Sequence, residues 1–173
     1  MKVAISGITG KTGRALAQGL QKYHTVVGGM AKNSLSSLRE ISPDLPDVPV
    51  YKDIREMCQK LAPEVVVDFT NAPAVQENAP LVLDFAIPLV IGTTGVAESF
   101  WEEMGKKALE KGVGILVCSN FSLGANLMMK WSKEAGKYFS GVEIWEMHHS
   151  TKKDAPSGTA LTTARMIVEE REM

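Results

Sequence analysis

The sequence predicts an α/β protein: a doubly wound parallel sheet followed by a smaller α+β region. Three observations predict it. Strand-like and helix-like stretches alternate from residue 1 to about residue 119. A glycine turn, Gly7-Ile8-Thr9-Gly10-Lys11-Thr12-Gly13, joins the first strand to the first helix. The run Val65-Val66-Val67 has the unbroken apolar character of a strand buried on both faces.

Lys2–Ser6 is the first strand, and Leu16 and Leu20 give the helix after the glycine turn its apolar stripe. Strand, glycine turn and helix in that order form the phosphate-binding corner of a Rossmann-like dinucleotide fold. The first glycine allows the tight turn. The later two let a pyrophosphate reach the backbone and let the helix pack on the sheet. The spacing is GxxGxxG, and alone it also fits a plain βα turn. A second strand at Thr25–Met30 favours the nucleotide reading. The end of that strand selects the cofactor: a carboxylate there binds the ribose 2′-hydroxyl of NAD and repels a 2′-phosphate. Met30-Ala31-Lys32-Asn33-Ser34 has no carboxylate, and Lys32 and Lys11 are cations, so NADPH is expected ahead of NADH. Taken singly, a lysine is more often a solvated surface residue.

The segment from Asn33 to Asp47 reads as loop, with a helical turn around Leu35 to Ile41. A short helix follows from Asp53 to Leu61, and Pro63 blocks its continuation. After the valine strand, Phe69-Thr70-Asn71 falls at the ligand edge of the sheet. A helix from about Ala74 to Phe85 contains Pro80, expected to bend or split it. Pro88 to Ile91 is the next strand, delivering Gly92-Thr93-Thr94-Gly95, a turn through which backbone can approach a flat ring. On spacing alone it reads equally as a plain strand-to-helix turn. Ala97 to Lys111 is amphipathic, with Phe100, Met104, Ala108 and Leu109 inward and Gly112 ending it. Gly114 to Ser119 is a further strand, ending in Asn120-Phe121-Ser122. The helix from Leu123 to Phe139 carries Met128, Met129 and Trp131, a stripe read as core. A strand from Val142 to His149, a loop with Lys152, and a helix from Ser157 to Glu170 close the chain. Ser157 is the expected N-cap, and Leu161, Ala164 and Ile167 or Val168 the apolar face.

Composition narrows the function classes. At 173 residues, 45% hydrophobic and 23% charged, the chain is an ordinary globular protein. A net charge of −1 argues against a dedicated nucleic-acid partner or a polybasic membrane anchor. No apolar run reaches the length of a membrane span. Met1 leads directly into the first strand, so no signal peptide is expected. Cys58 and Cys118 form no CxxC pair or metal spacing and read as free thiols in a reducing cytoplasm.

The chemistry concentrates in Glu143–Ala160, EIWEMHHSTKKDAPSGTA. On a strand, Glu146 and His148 share one face and His149 takes the other, so the two histidines cannot do the same job. Two structural histidines on an edge strand would be the bland reading. A metal reading would recruit Glu146 and His148, but no third ligand stands at helix spacing, and no metal is expected. An acid/base reading needs a histidine beside a cation and an anion site. Lys152 supplies the cation, and the backbone N–H groups of Gly158 and Thr159, at a helix start, supply the anion site.

HHSTKKDAPSGTA also resembles the HHxxKxDAPSGTA signature of the dihydrodipicolinate reductase family. The resemblance implies an enzyme of the diaminopimelate route to lysine, which reduces a cyclic dicarboxylate with NADPH or NADH. It implies that His148 is the general acid and Lys152 its partner donor, and that His149, Gly158 and Thr159 contact substrate. The cofactor residues it implies are Gly7, Ile8, Thr9, Gly10, Lys11, Thr12, Gly13, Lys32, Phe69, Gly92, Thr93, Thr94, Cys118, Ser119, Asn120 and Phe121. Cys118-Ser119 departs from the family's usual Ala-Pro before Asn120, which affects side-chain contacts more than backbone ones. By the same resemblance, residues 1–119 are the dinucleotide-binding domain and 120–173 a substrate-binding domain that looks truncated. Family members continue beyond this helix with further strands of the sheet that builds their tetramer. A second reading is a non-catalytic nucleotide-binding fragment of such a reductase, and turnover separates the two.

Overall fold

The structure, a computed structural model, describes residues 1–148, 150 and 155–171. The chain divides into two compact units, Met1–Cys118 and Ser119–Met173. The first holds six strands: β1 (Lys2–Ser6), β2 (Thr25–Met30), β3 (Val50–Tyr51), β4 (Val65–Asp68), β5 (Leu89–Ile91) and β6 (Ile115–Val117). Four helices connect them: α1 (Lys11–Leu20), α2 (Ile54–Leu61), α3 (Ala72–Asp84) and α4 (Glu98–Glu110). The sheet order is β3-β2-β1-β4-β5-β6, with every named strand pair parallel. This is the expected doubly wound arrangement. The order reverses between β1 and β4, and such switch points are where open α/β sheets receive ligands.

Alternation along the strands divides the core in two. Val3 and Ile5 turn to the α1 face with Ile8, Ala17, Val26 and Val50. Ala4, Val66, Leu89 and Ile91 turn to the other, against α2, α3 and α4. Burial on both faces explains the continuous valine run in β4. Asp53 caps α2 by accepting from Glu56 N at 2.8 Å, and Asn71 caps α3 by accepting from Ala74 N at 3.1 Å. The segment before α2 holds more order than its serines and prolines suggested. Leu35 bridges Val50 antiparallel, and Ser37 and Glu40 form a capping box around a 3₁₀ turn at Leu38–Glu40.

Two helix expectations need correction. Pro80 neither splits nor ends α3, which runs unbroken from Ala72 to Asp84. The missing N–H removes one bond, but Val75, Ala79, Val82 and Leu83 are buried on both sides of it and hold the helix together. Leu109 of α4 is 82% exposed. Met104 and Ala108, four apart, define the buried face, and the next residue is turned roughly 100° away from it. Gly112, at φ +67°, follows the helix end as expected.

The second unit packs α5 (Leu123–Gly136) against α6 (Gly158–Arg171). Ile167 lies over Gly136, where an added Cβ would come within 2.8 Å of Ile167 Cγ2. Lys133 and Lys137 pair with Glu170 at 3.1 and 2.6 Å. The Arg171 guanidinium donates to the carbonyls of Gly136 and Phe139. The expected strand from Val142 is not formed: residues 142–148 carry no ladder. A strand needs a neighbour to bond, and among the described residues none pairs with this segment. Trp145 and Met147 are exposed there. The expected Met and Trp core stripe of α5 is also corrected, since Met129 is buried while Met128 and Trp131 are exposed. On α6 the buried positions are Thr163 and Ile167, and Leu161 and Val168 are exposed. Among the described residues no helix is long and apolar enough to cross a membrane.

Candidate functional site

A cleft of about 520 Å³ opens in the first unit at the carboxyl edge of the sheet. It is lined by Gly7, Thr9 and Gly10 of the glycine turn, by Met30, Ala31, Lys32 and Asn33 after β2, and by Phe69, Thr70 and Asn71 after β4. Five predicted cofactor residues, Gly7, Thr9, Gly10, Lys32 and Phe69, therefore meet at one place. Gly7 stands at φ +81°, and a Cβ there would lie 2.7 Å from Phe69 O. Its N–H donates to Met30 O at 2.9 Å, tying the turn to the end of β2. Gly13 serves packing: its Cβ would collide with Gly7 O and approach Ile8 Cα to 2.7 Å. Arg14 N donates to Gly10 O at 3.0 Å, and the first-turn N–H groups of Lys11, Thr12 and Gly13 precede that bond. A helix start of this kind attracts an anion. Ile8 behaves differently from its neighbours. Its side chain is fully buried in the core, so it secures the turn from beneath. Lys32 is exposed at the cleft and makes no ion pair with a described residue.

The turn after β5 lies beside the turn after β4. A Cβ on Gly92 would come within 2.7 Å of Phe69 Cδ1, so the glycine lets the phenyl ring lie against the backbone. Thr93 is buried and Thr94 exposed. The Thr93 hydroxyl donates to Asp68 Oδ1 at 2.8 Å, and that oxygen also accepts from Thr70 N at 3.0 Å and Thr70 Oγ1 at 2.8 Å. Asp68 is 1% exposed. Sequence reasoning missed it, although a carboxylate closing an apolar strand was the available signal. Cys118 closes this unit, its N–H donating to Ile91 O at 2.9 Å. Burial, and to a lesser degree Asp53, push the Cys58 thiol up to about 11, so this cysteine is chemically quiet.

In the second unit, Asn120 Nδ2 donates to Thr159 Oγ1 at 2.8 Å, and the Ser119 and Thr162 hydroxyls lie 3.2 Å apart. A predicted cofactor residue and a predicted substrate residue are thus in direct contact. Phe121 is half exposed. Ser157 caps α6 through its hydroxyl, which accepts from Ala160 N at 3.1 Å. Gly158 and Thr159 occupy the first turn, ahead of the bond that Leu161 N donates to Ser157 O. Their N–H groups have no partner among the described residues. His148 is exposed, with Nδ1 3.9 Å from Glu146 Oε2, while Glu146 Oε1 accepts from Ser157 N at 2.8 Å. Glu146 therefore links the histidine to the helix start. Its placement two residues before His148 was the signal for it. His149 and Lys152 lie outside the described residues. No three His, Cys, Asp or Glu among the described residues gather as a metal site.

The profile of dihydrodipicolinate reductase, N-terminus, matches residues 1–121, and that of its C-terminus matches 124–173. The chain belongs to the dihydrodipicolinate reductase family. It is 39% identical to a 4-hydroxy-tetrahydrodipicolinate reductase of Listeria innocua, over 99% of this chain and 67% of the relative. The corresponding protein of Lysinibacillus sphaericus is 37% identical over 99% of this chain and 66% of its own. The chain thus spans about two thirds of the length of these curated relatives. The solved dihydrodipicolinate reductase from Paenisporosarcina sp. TG-14, bound to dipicolinate, superposes with a TM-score of 0.78 at 36% identity, covering 99% of this chain and 66% of that one. A probable dehydrogenase from Thermotoga maritima shares the fold alone, with a TM-score of 0.62 and 16% identity over 78% of this chain and 40% of its own.

Proposed function

We propose that this member of the family reduces 4-hydroxy-tetrahydrodipicolinate (dihydrodipicolinate) to tetrahydrodipicolinate in the cytoplasm, on the diaminopimelate route to lysine. The observation that carries this reading is the glycine-turn cleft at the β1/β4 switch point, with Lys32 at its rim. Residues 1–119 are the cofactor domain, and residues 120–173 contribute the acid and the carboxylate-binding helix start. When bound, the reduced pyridine nucleotide supplies the hydride. The backbone of Gly7–Gly13 receives the pyrophosphate, Lys32 pairs with the 2′-phosphate of NADPH, and Phe69 with Gly92–Thr94 supports the nicotinamide half. Cys118–Phe121 adds backbone contacts.

Gly158 and Thr159 hold one carboxylate of the substrate at the start of α6, and His149 and Lys152 orient the ring. His148 gives the proton that completes the reduction. Glu146 faces Nδ1 at 3.9 Å, which leaves Nε2 as the nitrogen that carries the proton to the ring carbon. Positioned proton transfer of this kind contributes about 10²- to 10⁴-fold in rate. His148→Gln should lose turnover by a factor in that range while holding NADPH as tightly as the parent. Parent-like turnover in a steady-state NADPH oxidation assay would remove the histidine from this role. Assembly as a tetramer belongs to the same reading.

A further inference from the structure

We infer that Asp68 is a positioning residue that takes the hydroxyl protons of Thr70 and Thr93 and so presents Thr70 to the cleft as an acceptor. The inference rests on the nucleotide reading above and adds to it a residue with no contact to substrate. A threonine hydroxyl has one proton and two lone pairs. Thr70 Oγ1 stands 2.8 Å from Asp68 Oδ1 and 3.4 Å from Asn71 O, so the proton belongs to the carboxylate. Thr93 Oγ1 is likewise 2.8 Å from Oδ1. Thr70 lines the cleft. What it can offer a ligand is lone pairs, and the ligand group it accepts is a donor, such as a ribose hydroxyl or an amide N–H.

The same oxygen fixes two turns that come from different strands. Thr70 follows β4 and Thr93 follows β5, and Phe69 is packed between them against Gly92. One carboxylate thereby joins them into a single platform on the half of the sheet beyond the switch point. The other oxygen, Oδ2, is buried without a partner among the described residues, and so is the hydroxyl of Ser6, which stands opposite Asp68 in the β1/β4 register. An asparagine at position 68 would keep Oδ1 for both threonines and turn its amide N–H₂ toward the Ser6 side. An alanine would free both hydroxyl protons.

The test compares two probes on the full chain: NADPH, which spans both halves of the sheet, and 2′,5′-ADP, which carries only the adenosine half. Asp68→Ala should weaken NADPH binding about tenfold or more and leave 2′,5′-ADP within about threefold, because only the second half has lost its platform. Asp68→Asn should restore NADPH binding to within about threefold of the parent. Equal weakening for both probes, or no change for NADPH, would overturn the inference. Should Asp68→Ala fail to fold, Thr93→Val removes one donor with little change of shape and should give the same contrast in milder form. If the parent chain binds neither probe, the nucleotide reading itself fails.

Discussion

Two glycines of α1, Gly13 and Gly19, should respond to alanine with opposite signs. At Gly13 the new Cβ meets backbone only: it collides with Gly7 O and lies 2.7 Å from Ile8 Cα and 2.8 Å from Gly7 C, where ordinary contact begins near 3.4 Å. No side chain can yield, so α1 has to back away from the glycine turn by about 0.7 Å. Overpacking of this kind costs about 1–3 kcal/mol. The alanine recovers about 1 kcal/mol of helix propensity at most. The displaced helix start is also the one that receives the pyrophosphate, so NADPH affinity should fall about tenfold or more. At Gly19 nothing lies within 4 Å of the added Cβ. There the propensity gain stands alone, and Gly19→Ala should stabilise by about 0.5–1 kcal/mol without touching affinity. Urea unfolding followed by circular dichroism, with NADPH titration of each variant, reads both effects. If Gly13→Ala proved as stable and as tight-binding as Gly19→Ala, the packing argument for the glycine turn would be refuted.

Three further outcomes follow from the same geometry. Lys32→Ala should weaken NADPH while leaving NADH unchanged, because the 2′-phosphate alone distinguishes them. Equal loss for both would take Lys32 away from that phosphate. Hydrogen bonds from Lys137 and then Lys133 hold the Glu170 carboxyl below its ordinary 4.5. A lowered carboxylate pKa stabilises above the unfolded value, so the advantage of the parent over Glu170→Gln should persist at neutral pH and fade as pH falls below 4.5. A difference in melting temperature that stays constant into acid would contradict this. Gly136→Ala should loosen the α5–α6 pairing, because its Cβ would meet Ile167 Cγ2 at 2.8 Å, and faster amide exchange in α6 is the expected sign. Unchanged protection of α6 would argue that Ile167 has room to turn aside.

How much of this was legible in the sequence depended on whether a local pattern decided the structure. The valines of β4, the glycine turn and the caps at Asp53, Asn71 and Ser157 each express a short-range rule, and the folded chain obeys it. Which face of a helix is buried is not short-range. Leu109 and Trp131 fit an apolar stripe as well as Met104 and Met129 do, and only the neighbours in space decide between them. The strand expected from Val142 failed for the same reason, since its β-type residues need a partner strand. Asp68 was hidden by its own surroundings. One charge at the end of an apolar run resembles a strand end facing water, whereas its acceptor role depends on Thr93, 25 residues further on.

The central claim is that this chain joins a pyridine nucleotide to a cyclic dicarboxylate and passes hydride between them. Supplying nicotinamide-deuterated NADPH with freshly generated 4-hydroxy-tetrahydrodipicolinate, and weighing the tetrahydrodipicolinate by mass spectrometry, tests it most directly. The account predicts deuterium on the product ring at the pace of nucleotide oxidation. Product without the label, or nucleotide bound and never oxidised, would contradict it.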